Sequence, residues 1–90
     1  MNVKLTDKQT CWLANRGYKY SYDYDNNFLE LSYQTKKNHF IRHCLDFTNN
    51  KFVYIDSTQV NKGNLSPKFL TMKEIKGMAE IIDYLNGAKD

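Results

Sequence analysis

Between residue 18 and residue 56 the chain carries a series of short strand-like runs, the first with strict alternation, and turn-forming side chains separate them at short intervals. Tyr18, Tyr20, Tyr22 and Tyr24 alternate with Lys19, Ser21 and Asp23. A period of two puts one aromatic row on one side of an extended strand. Asp25-Asn26-Asn27 supplies residues that tolerate turn conformations. Phe28 to Tyr33 then returns, with Leu29, Leu31 and Tyr33 on one face and Phe28, Glu30 and Ser32 on the other, so the pair reads as a β-hairpin. After Lys36-Lys37-Asn38 a third strand, His39 to Phe47, carries Ile41, Leu45 and Phe47 on one side and Phe40, Arg42, Cys44 and Asp46 on the other. Thr48-Asn49-Asn50-Lys51 is a second turn signal and Phe52 to Asp56 a fourth strand. Connections this short join antiparallel neighbours. Ser57 to Lys68 is polar, contains Gly63 and Pro67, and is expected to be a loop.

A helix signal stands at each end of this run. Thr6 followed by Gln9, and Thr71 followed by Glu74, are capping boxes, in which each side chain satisfies the other residue's backbone N–H. Gly17 and Gly87 supply the left-handed residue that ends a helix. The first helix is short and depends on packing, through Trp12 and Leu13. In the second, Leu70 and Ile75 are placed for a hydrophobic staple, and Ile75, Met78, Ala79, Ile82 and Leu85 form one apolar stripe. The expected fold is one α+β domain over residues 1–90: a four-stranded antiparallel meander flanked by an N-terminal and a C-terminal helix, α-β-β-β-β-α. Two short helices shield one sheet face, which leaves the other polar, partnered or dimerised.

The 90 residues suffice for one modest core. No apolar run reaches the ~18–20 residues needed to span a bilayer, and Met1 to Asp7 lacks the apolar stretch of a secretory signal. Without an export signal, Cys11 and Cys44 read as reduced, mostly buried thiols, and a cytoplasmic protein with no membrane association is expected.

His39, His43, Cys44 and Cys11 form the one set resembling metal ligands. Strand residues four apart lie roughly 13 Å from each other, far beyond a zinc cage of about 2.0–2.3 Å radius. His43 and Cys44 point to opposite faces of a strand, which separates base from thiol. Four scattered glycines form no phosphate loop. No metal, no cofactor and no catalysis are therefore expected. Two binding readings remain. The net charge of +3 and an aromatic content of 14% suit a single-stranded nucleic acid, with Tyr18, Tyr20 and Tyr22 stacking on bases and Lys36, Lys37 and Arg42 meeting phosphates; Asp23, Asp25 and Glu30 in the same hairpin would repel phosphate. The favoured reading is a protein partner, because an uncovered sheet face carrying Phe28, Phe40, Arg42 and Tyr54 has the composition of an interface core.

The capped helix from Leu5 to Gly17, the Asn/Lys/Tyr-rich meander and the closing Leu-Thr-Met-Lys-Glu-Ile-Lys helix resemble small uncharacterised proteins of phages and mobile elements in Gram-positive bacteria. The resemblance is one of composition and element order. It implies a non-enzymatic accessory or inhibitor protein that binds a host protein, such as a defence nuclease, in the host cytoplasm, and it assigns no functional residue. The strand-then-helix ending around Leu70 to Ile82 is also similar to the end of single-strand-binding coactivator-like domains.

Overall fold

A computed structural model describes residues 4–87. Helix α1 (Asp7–Asn15) is followed by strands β1 (Lys19–Asp23), β2 (Phe28–Lys36), β3 (His39–Thr48), β4 (Lys51–Asn61) and β5 (Asn64–Pro67), then by helix α2 (Met72–Leu85). The strands form one antiparallel sheet in the order β1-β2-β3-β4-β5. The class is the α+β meander that the alternation implies, with five strands where four were expected.

The extra strand comes from the segment read as a loop. β4 runs on to Asn61, Lys62 and Gly63 turn with φ of 51° and 84°, and β5 pairs back through Val60↔Leu65 and Asn61↔Asn64. Two consecutive positive-φ residues match the right-handed twist of a hairpin, as they do at Asn49 and Asn50 between β3 and β4. Pro67 is tolerated because β5 is a short edge strand whose outer side needs no donor.

Both capping boxes form as their spacing dictates, at Thr6/Gln9 and at Thr71/Glu74. Both helices lie on the same sheet face, α1 beside β1 and α2 over β4. They meet each other through Trp12 stacked on Tyr84 at 4.1 Å, through Arg16 at 4.0 Å from Glu80, and through Gln9 Nε2 donating to the Leu85 carbonyl. Arg16, at the end of α1, also lies 3.6 Å over the Trp12 ring of the same helix. Beneath them Leu13, Leu29, Leu31 and Leu45 are completely buried, with Phe52, Met78, Ile81 and Leu85 around them. Each such side chain contributes about 1.5–3 kcal/mol when removed from water.

The stripe of α2 sits differently from its sequence pattern. Met78, Ile81, Tyr84 and Leu85 are buried, whereas Ile75 and Ala79 stay exposed. The apolar arc is wider than the sheet beneath it, and its β4 flank is left uncovered. The thiols also differ from expectation. Cys11 is exposed on α1, Cys44 is half-buried on the face of the sheet away from the helices, and both are free.

Candidate interaction surfaces

The β-ladder assigns every strand residue to one face. Leu29, Leu31 and Tyr33 of β2, and Ile41, His43, Leu45 and Phe47 of β3, face the helices. Tyr20 and Tyr22 lie opposite Leu31 and Leu29, so the tyrosine row faces the helix side too. Tyr18 and Tyr22 pack against the core, and the Tyr22 hydroxyl accepts from Leu5 N–H at 2.9 Å. Tyr20 and Tyr24 remain exposed at the β1 edge, on either side of Tyr22. Lys36 and Lys37 stand at the β2–β3 turn and Arg42 on the open face. The stacking and phosphate-binding groups proposed from the sequence therefore do not share a surface.

Phe28, Phe40 and Arg42 do share the open face, but only Phe40 and Arg42 are neighbours. Phe40 is exposed near the β2–β3 turn, Arg42 lies 3.5 Å from Glu30, and half-buried Phe28 sits at the opposite end between Asp23 and Asp46. Tyr54 does not join them. The two-residue turn pairs Phe47 with Phe52 and Leu45 with Tyr54, which puts Tyr54 on the helix side. Its hydroxyl and the Nδ1 of buried His43 both hydrogen-bond the Ser57 Oγ, the latter at 2.6 Å. This arrangement requires a bulge. Cys44 pairs with Asp56 and Leu45 with Tyr54, leaving Ile55 as the extra residue, so that Tyr54 and Ser57 reach the same face three positions apart. Burial holds the His43 imidazole below its ordinary pKa.

Charge on the open face is divided. Near the β2–β3 and β4–β5 turns, which are joined by Lys62 N–H donating to the Asn38 carbonyl, Phe40 and Val60 are neighbours of Lys62. At the opposite end Asp23, Glu30, Asp46 and Asp56 surround Cys44, whose thiol is pushed up to about 11 by burial and then by those carboxylates. His43 and Cys44 point to opposite faces, and among the described residues no three His, Cys, Asp or Glu side chains converge on a metal site.

The largest apolar exposure lies elsewhere, between β4 and α2. Phe69 is 86% exposed, Met72 69%, Ile75 45% and Ile55 42%. A groove of 490 Å³ runs from Tyr54 to Thr58 on one wall and from Pro67 to Leu70 on the other, with Ile75 at its end. It adjoins an apolar hole of 170 Å³ lined by Tyr54, Leu70, Ile75, Met78, Ala79 and Ile82. Its floor is a sheet edge, because β5 pairs only with Thr58 to Asn61. Sequence reasoning missed this site, although the over-wide α2 stripe and the Phe69-Leu70 pair were visible signals. Compared with known proteins, the chain matches no family model, no curated protein and no solved structure, so its function is argued from these surfaces.

Proposed function

We propose that the protein is a non-enzymatic binding domain whose target is another protein. The observation that carries this reading is the concentration of exposed apolar side chains along the β4–α2 side, where Ile55, Phe69, Met72 and Ile75 flank a stretch of β4 that pairs with no second strand on that side among the described residues. Contiguous apolar exposure rimmed by polar residues marks association surfaces in water-soluble domains. Phe40 and Arg42 on the open face provide a second, smaller contact area. The resemblance to phage and mobile-element proteins extends the proposal to a host protein as the target, in the host cytoplasm; no helix among the described residues is long and apolar enough to cross a membrane.

Affinity capture from host lysate, with and without nuclease treatment, tests the reading when wild type is compared with Phe69→Asp. Both side chains at position 69 are solvated in the free protein, so the fold tolerates the change. A protein retained by the wild type, lost with Phe69→Asp and indifferent to nuclease is the expected result. Retained material that disappears with nuclease would overturn it.

Nucleic-acid binding has one specific observation in its favour, the exposed Phe40 beside the adjacent Lys36–Lys37 and Lys62 turns. It predicts single-strand affinity that falls steeply with salt, through counterion release, and that weakens in Phe40→Ala. The tyrosines on the opposite face and the four carboxylates around Cys44 weigh against it.

A further inference from the structure

The edge of β4 is clasped at two points. Asn86, at the end of α2, donates its Nδ2 to the Phe52 carbonyl at 3.0 Å and accepts the Phe52 N–H at 2.8 Å, taking the place of a neighbouring strand. Further along, Lys68 N–H donates to the Ser57 carbonyl at 3.0 Å, where the chain leaves β5. Tyr54 lies between the clasps. Strand residues two apart direct their backbone groups the same way, so the N–H and C=O of Tyr54 face outward as those of Phe52 do. Among the described residues no strand pairs with them on that side. An unpaired edge of this kind is a template for another extended chain.

We propose that this gap accepts an extended peptide segment of a partner protein as a short added strand, with an apolar side chain flanked by basic ones. The pattern follows from the faces. A residue directly across from Tyr54 shares its face, so its side chain enters the 170 Å³ hole between Tyr54, Leu70, Ile75, Met78, Ala79 and Ile82. A cavity of roughly 150 Å³ holds a benzene molecule, which makes leucine or phenylalanine a suitable occupant. The residues on either side of it turn to the open face, beside Val53 and Asp56, where the row Asp23, Phe28, Asp46, Val53 and the row Glu30, Cys44, Asp56 carry four carboxylates. Only Glu30 has a cationic partner among the described residues, Arg42, so basic side chains complete this end of the face. The occupant is a single extended segment rather than a second folded copy: Phe69 and Asn86 bound the gap, and the β4 edge of another copy would bring its own α2 and its own Phe69 into the same space.

The proposal rests on the protein-binding reading and narrows it to one mode. It is tested by adding a blocked heptapeptide of alternating lysine and leucine to the ¹⁵N-labelled protein, in parallel with its leucine–glutamate counterpart and with a version N-methylated at the central leucine. The lysine peptide is expected to bind with Kd below about 1 mM, and each of the other two at least roughly tenfold more weakly. The amide shifts are expected to centre on Tyr54, Ile55 and the Ile75–Ala79 flank. Ala79→Phe, which fills the hole from an exposed position, is expected to weaken binding by a similar factor without lowering the melting temperature. Equal binding of the methylated peptide, shifts centred on Phe40, or no binding by the lysine peptide would overturn strand addition. So would concentration-dependent dimers with the same β4 amides perturbed, since a second copy would then be the occupant. Loss of lysate capture in Phe69→Asp would still stand in each of these cases, so the two readings fail separately.

Discussion

His43 is buried on the helix face and bonded to Ser57, and its pKa is depressed by burial. Glu74 opposes the shift and Lys68 reinforces it. Because the folded form resists protonation, the unfolded chain takes up the proton first as pH falls. Stability is therefore full above about 6.5, the unfolded value, and declines as pH drops through the window down to the folded value. Urea unfolding between pH 5 and 7.5 is expected to show this decline, at no more than about 1.4 kcal/mol per pH unit from this group. His43→Asn should flatten it. The strand position of His43 was legible in the alternation; its partner was not, because Ser57 read as the start of a loop. Asn86 is a second residue whose role sequence could not supply. Beyond capping α2 just before Gly87, it replaces a strand neighbour for Phe52. Asn86→Ala is expected to lower unfolding free energy by about 1–3 kcal/mol, since both Phe52 backbone groups lose their partner.

The helix ends are the elements most fully determined by local sequence. Thr71→Ala is expected to destabilise the protein by about 1 kcal/mol in thermal or denaturant unfolding, because it removes the acceptor for Glu74 N–H. The strands were legible up to Tyr54 and became misleading beyond it. Period-two reasoning keeps one phase along a strand, and the extra residue Ile55 shifts that phase by one, so Ser57, not Asp56, returns to the helix face. Tyr54 itself was readable: a two-residue Asn49-Asn50 turn pairs Phe47 with Phe52 and leaves Tyr54 opposite Leu45, on the helix side. The Asn61-Lys62-Gly63-Asn64 hairpin was also present in the sequence. Its strands are polar because an edge needs few apolar contacts, and polar composition is what suggested a loop. In α2 the stripe was correct as a pattern but not as a buried surface, since burial depends on how far β4 extends beneath the helix.

At the scale of the molecule both helices and the sheet share one core, so unfolding should be a single event. Trp12 is the one tryptophan, and it is stacked on Tyr84 between the helices. Its fluorescence and the far-ultraviolet circular dichroism are expected to report coincident urea transitions. Leu45→Ala, at the centre of that core, should lower stability by about 2–5 kcal/mol, while Phe40→Ala on the open face should change it by less than about 1 kcal/mol. What the sequence determined by itself was short-range: the two capped helices, the strand alternation through β3, the turns, and hence an antiparallel α+β meander. Each depends on interactions within a few residues along the chain, where spacing and side-chain type suffice. Tertiary structure alone decided the face that Ser57 occupies, the separation of the tyrosine row from the basic turns, and, among the described residues, the uncovered β4 edge beside the flank of α2. Those outcomes depend on cross-strand register, on one bulge, and on which part of an apolar surface finds another to cover it, and these are properties of residues far apart in the chain.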